Sequence, residues 1–117
     1  MKLVRDKIIK IILEQGKNCR SRWDCKYHFA EGEEYEQRLF DKMQEEMTEF
    51  MEEPCLEEAA DVYEVFLSML NHWKFDLKDV QGTADKKREE RGSFRVGYVL
   101  ENVDKGDCGD CGGNESR

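Results

Sequence analysis

Hydrophobic positions recur at three-to-four-residue spacing through most of the chain. Leu3, Val4, Ile8, Ile11 and Ile12 predict a first helix over 2–15, with Gly16 as its stop. Tyr35, Leu39, Phe40, Met43, Met47, Phe50 and Met51 form the apolar stripe of a second helix over 33–52. Pro54 ends that helix and suits the first turn of a third, over 55–73. After Asp61 the third helix is apolar nearly all round: Val62, Tyr63, Val65, Phe66, Leu67, Met69 and Leu70. Such a helix is buried on more than one side. One small domain offers it too few neighbours, which predicts a helical partner subunit. Asp76 can cap a fourth helix over 77–91, and Gly92 can stop it. Gly82 weakens its middle by about 1 kcal/mol relative to alanine.

Two stretches break the helical period. Trp23, Cys25, Tyr27 and Phe29 alternate with Arg22, Asp24, Lys26 and His28, and Phe94, Val96, Tyr98 and Leu100 alternate likewise. Alternation is strand-like, and an isolated strand is unstable, so 22–29 can pair with 94–100. The expected fold is mainly α: a helical bundle completed by oligomerisation, with this one small two-strand pairing. Residues 1–103 read as a single domain and 104–117 as a polar, disordered tail.

Length and composition narrow the class. The chain has 117 residues, too few for a second independent core. Charged residues make up 39% and aromatic residues 10%, the latter too many for a disordered chain. No apolar run reaches the roughly 18–20 residues that span a bilayer, so no membrane partner is expected. Asp6, Lys10 and Glu14 interrupt any signal-peptide core, and the expected location is the cytoplasm. A net charge of -8 argues against binding a nucleic acid polymer. The charge is unevenly spread: residues 31–70 hold fourteen acids and two bases, whereas residues 1–30 hold eight bases and three acids. The five cysteines, an odd number, read as reduced thiols. Cys108 and Cys111 offer two of the four ligands of a structural zinc site, and Cys19, Cys25 and His28 are remote. His28 and His72 read as structural. No glycine-rich phosphate loop and no nucleophile–histidine arrangement is present.

The acidic centre carries the candidate chemistry. Glu46 and Glu49 are three residues apart on one side of the second helix, as are Glu58 and Asp61 on the third. Glu46 falls within the apolar stripe and Glu49 at its edge. If the two helices run antiparallel around the Glu53–Pro54 elbow, facing residues have equal sums of residue number. The pairs Glu46/Asp61 and Glu49/Glu58 meet that condition. Four converging carboxylates repel one another, and a hard divalent cation resolves the conflict. Oxygen-only ligands select Mg²⁺ or Mn²⁺ over zinc. The same spacing also suits a hairpin whose acids face solvent. Such cations are often shared with substrate phosphates. Lys86, Lys87 and Arg91 at the end of the fourth helix can meet phosphate or simply complement the helix dipole. Arg5 and Lys7 are open to the same two readings.

The E-x-x-E followed by E-x-x-D on consecutive helices resembles the MazG-like all-α nucleoside triphosphate pyrophosphohydrolases. Lys2-Leu3-Val4-Arg5-Asp6-Lys7-Ile8 resembles the opening of the branch related to phosphoribosyl-ATP pyrophosphohydrolase. Lys86-Lys87 with Glu90-Arg91-Gly92-Ser93-Phe94 resembles that branch's closing motif, and Glu58-Ala59-Ala60-Asp61-Val62-Tyr63 the equivalent inner segment. The resemblance covers residues 2–100 in order. It implies a helical bundle, dimeric or tetrameric, with Mg²⁺ held by Glu46, Glu49, Glu58 and Asp61. It implies hydrolysis of a nucleotide between its α- and β-phosphates, giving a monophosphate and pyrophosphate. Glu45 matches an extra acid of the pattern, in contact with the ligands or orienting water. The chain departs from the pattern in its short gap between the motifs, with Pro54 inside it, and in its cysteine-bearing end.

Three functions follow: a Mg²⁺-dependent nucleotide pyrophosphohydrolase, which clears non-standard nucleotides in a house-cleaning role; phosphoribosyl-ATP hydrolysis; or a non-catalytic helical interaction module of the same fold. The opening motif favours the first over the second. The presence of all four acids counts against the third.

Overall fold

The computed structural model describes residues 1–17 and 25–104. Four helices are present among them: α1 (Ile8–Lys17), α2 (Gly32–Glu52), α3 (Leu56–Trp73) and α4 (Leu77–Arg91). The fold is mainly α, as the periodicity predicts. None of these helices is long and apolar enough to cross a membrane. The chain divides into two units, Met1–Gln81 and Gly82–Arg117.

The first unit is organised around the α2–α3 hairpin. Glu53, preceding Pro54, takes φ -141° and ψ 80°, outside the helical region. The proline ring disfavours helical backbone at the residue before it, and α2 ends there. Cys55 is extended at the start of α3, and its carbonyl accepts from the Ala59 N–H at 3.0 Å. Pro54 therefore lies in the link rather than in the first turn of α3. At the other end His72 Nε2 lies 2.8 Å from Glu36 Oε2, which ties the last turn of α3 to the first turns of α2. The helices thus run antiparallel. Leu39 and Val65 form the buried apolar core between them.

α3 closes on a left-handed residue. Lys74 takes φ 63°, and the Phe75 N–H donates to the Leu70 carbonyl at 2.9 Å. Asp76 caps α4 as expected, with its Oδ1 accepting the Lys78 N–H at 3.2 Å. Gly92, at φ +85°, ends α4 and donates to the Arg88 carbonyl at 2.7 Å. That backbone suits glycine, as the sequence anticipates.

Two further expectations are corrected. α1 begins at Ile8, not at residue 2, and passes Gly16 to end at Lys17. The preceding segment is held instead by tertiary contacts: Lys2 pairs with Glu45 on α2 and Arg5 with Asp61 on α3, and Leu3 and Val4 are half-buried. The two-strand pairing is absent among the described residues. Residues 25–29 and 94–100 have no regular structure, and Gly97 at φ +91° breaks the extended alternation of the second stretch. Residues 22–24 lie outside the described residues, as do 105–117 of the expected tail. Within the single chain α3 is only partly covered. Val65 alone is buried, while Val62, Phe66, Leu67, Met69 and Leu70 are half-buried and Tyr63 is exposed.

Candidate functional site

The site grows from the first turns of α3 and the middle of α2. Acids in the first turn of a helix are favoured by its dipole, which places Glu57 and Glu58 there at little cost. Asp61 follows one turn later on the same side. Glu46 stands opposite on the packed stripe of α2 and is 6% exposed. One oxygen from each of Glu46, Glu58 and Asp61 lies within 4.8 Å of the other two. Glu46 Oε1 and Glu58 Oε1 are covered, and neither has a hydrogen-bond partner among the described residues. Burial of an acceptor without a partner costs about 1–3 kcal/mol. Burial, then repulsion from Glu49, Asp61, Glu46 and Glu53, holds the Glu58 carboxyl above its ordinary value.

The expected convergence is therefore met by three of the four acids. Glu49 lines the same cleft and repels Glu58, but its oxygens stand outside the close group.

Three cations face these acids. Lys42 Nζ lies 3.1 Å from Glu46 Oε2 and 3.4 Å from Glu45 Oε1. Burial opposes the Lys42 charge, but Glu46 and Glu45 outweigh it and keep the ammonium above its usual pKa. Lys2 Nζ lies 3.4 Å from Glu45 Oε2. Partial burial works against the Glu45 carboxylate, yet Lys42 and Lys2 together hold its pKa below the usual value. The Arg5 guanidinium donates to Asp61 Oδ1 at 2.6 Å. An open cleft of about 760 Å³ runs between Lys2–Ile8 and the hairpin, and Arg5, Lys7, Lys42, Glu46, Glu49 and Asp61 line it.

Of the cations named from the sequence, Arg5 and Lys7 line this cleft. Lys86, Lys87 and Arg91 belong to the second unit, with their side chains exposed. Lys42 and Lys2 pair with acids of this region, and the sequence reading named neither pairing. A signal was there: Lys42 precedes Glu45 by three and Glu46 by four, the spacing of helical ion pairs. The histidines sit apart from the cluster, His72 on Glu36 and His28 Nε2 at 2.7 Å from Glu34 Oε2. Cys25 and Cys55 are free thiols, and Cys19, Cys108 and Cys111 lie outside the described residues.

Glu46, Glu58 and Asp61 form an all-oxygen set that could hold a metal ion, and two of its oxygens are covered and without partners. Compared with protein-family models, curated proteins and solved structures, the chain matches none of them.

Proposed function

We propose that this protein is a Mg²⁺-dependent nucleotide pyrophosphohydrolase, cleaving between the α- and β-phosphates of a nucleoside triphosphate or related nucleotide. The observation that carries the proposal is the pair of unpartnered oxygens, Glu46 Oε1 and Glu58 Oε1, inside an acidic trio that borders a cation-lined cleft. The motif resemblance over residues 2–100 supports the choice of bond.

Glu46, Glu58 and Asp61 hold the cation, with Glu49 beside them. The cation, when bound, offsets charge on phosphate oxygens and acidifies water. Lys2, Arg5 and Lys7 line the cleft where a polyphosphate needs cationic partners. Glu49 has no ion-pair partner among the described residues and is the carboxylate free to take a proton from attacking water. Water adds to phosphorus, the bridging oxygen leaves, and the products are a monophosphate and pyrophosphate. Glu45 is engaged by two lysines and serves to hold them.

We further propose that the working form is a homodimer or homotetramer built on α2 and α3. Phe40, Met47, Met51, Leu56 and Tyr63 are exposed on this hairpin, and a partner subunit packed on it would cover them.

One observation favours the non-catalytic module. Lys42 and Arg5 already neutralise Glu46 and Asp61 from within the chain. A single experiment separates the two readings. Nucleoside triphosphates and phosphoribosyl-ATP are incubated with Mg²⁺ and scored for pyrophosphate. Wild type should release it, whereas Asp61→Asn and Glu49→Gln should not, at unchanged helical content. Silence of the wild type on every nucleotide, or full activity in both variants, would refute the enzyme.

A further inference from the structure

We propose that Arg5 is a built-in stand-in for the cation: it occupies Asp61 when no cation is bound and is displaced onto the substrate's phosphates when one is. This rests on the reading of Glu46, Glu58 and Asp61 as a divalent-cation site.

The two internal cations of the site differ in kind. Lys42 reaches Glu46 from one turn away on the same helix, so this pair is part of α2 itself. Arg5 reaches Asp61 across 56 positions of sequence, from a segment with no regular structure. The 2.6 Å contact is short and charge-assisted, yet the partners are 55% and 38% exposed. A pair so open to solvent exchanges readily, because water can replace either partner. A second cation competing for the same carboxylate displaces the guanidinium.

A divalent cation and a guanidinium on one carboxylate repel each other. Their binding to Asp61 is therefore negatively coupled, and the coupling is reciprocal. Arg5 does not leave the site when displaced. Its carbonyl accepts the Ile8 N–H at 3.1 Å, which anchors it at the start of α1 on the wall of the cleft. From there its planar fork of donors matches phosphate oxygens as well as it matches a carboxylate. The exchange places a guanidinium on the polyphosphate only once the metal is in position.

The test measures Mn²⁺ binding calorimetrically in the full chain, without nucleotide, for wild type, Arg5→Gln and Arg5→Lys. Arg5→Gln should bind Mn²⁺ about threefold to tenfold more tightly, since an open ion pair no longer competes. Arg5→Lys, which keeps the charge, should stay near wild type. Without metal, Arg5→Gln should melt below wild type, and in saturating Mn²⁺ the two should converge. Equal or weaker Mn²⁺ binding by Arg5→Gln would overturn the proposal. Absence of Mn²⁺ binding in all three proteins removes this proposal together with the metal site. Tighter binding by Arg5→Gln alongside no nucleotide hydrolysis sustains the competition and removes the enzymatic reading alone.

Discussion

Glu58→Gln should stabilise the protein without metal and remove most of the stabilisation that metal gives. Glu58 has a covered oxygen with no partner and no cation paired to it among the described residues. Burial and four neighbouring acids raise its pKa, so its charge works against the fold. Glutamine keeps the shape and deletes the charge. The pH dependence follows in sign. Between the ordinary and the raised pKa the folded state binds the extra proton. The apo protein is therefore helped by Glu58 below that window and loses this help as pH rises through the raised value. The metal-bound protein slopes the other way, because protons and cation compete for one carboxylate. Free cation at a hundredfold excess over Kd stabilises the native state by about 2.7 kcal/mol. For a domain of this size that raises Tm by about 10–20 °C. A variant with a hundredfold weaker site gains about 0.4 kcal/mol at the same concentration, or about 2–3 °C. Thermal melts at pH 7 with and without Mg²⁺ read both effects. A variant that melts below wild type without metal, or that keeps the full metal shift, would refute the account of the trio.

Light scattering at micromolar concentration should give at least twice 13.8 kDa, and Met47→Glu should reduce it to the monomer mass. A monomeric wild type would remove the interface on α2 and α3. Lys42→Ala leaves Glu46 buried without its cation and should cost about 1–3 kcal/mol in urea unfolding at neutral pH. The raised Lys42 pKa means that the lysine's own contribution persists through neutral pH and is lost only as pH climbs through its alkaline titration. Arg91→Ala, Lys86→Ala and Lys87→Ala separate two roles of the α4 cations. A phosphate role predicts kcat/KM down by roughly tenfold or more with normal metal affinity, whereas a dipole role predicts intact kinetics and a loss of about 0.3–1 kcal/mol.

The hairpin and its acids were legible because both rest on local periodicity. Leu39 and Glu46 share the packed stripe of α2, and the residue-number sums that pair Glu46 with Asp61 follow from an antiparallel turn at Pro54. Asp76 and Gly92 were legible for the same reason, since a cap and a left-handed stop act within one turn. The opening segment was not. Leu3 and Val4 keep helical spacing with Ile8, but Lys2 and Arg5 reach acids more than forty positions away, and spacing carries no trace of such partners. The alternation of Phe94, Val96 and Tyr98 misled because a period of two describes side chains, whereas a strand also needs a neighbouring backbone. Glu49 fell outside the close group although its sum with Glu58 is right. Equal sums align backbones and leave the carboxylate rotamers free.

The elbow at Pro54 also bears on the order of folding. Glu46 and Asp61 are fifteen positions apart, so the whole trio lies on one short stretch of chain. Contacts this local form early, before long-range packing such as that of Arg5 on Asp61. The hairpin must therefore bring three negative charges together while its intramolecular guanidinium is still unplaced. Like-charge repulsion then falls on the transition state itself. A divalent cation that joins the hairpin at this stage should quicken folding, and not merely slow unfolding. In a denaturant chevron, Mg²⁺ should lift the folding limb, while the late-forming Arg5 contact leaves its mark on the unfolding limb.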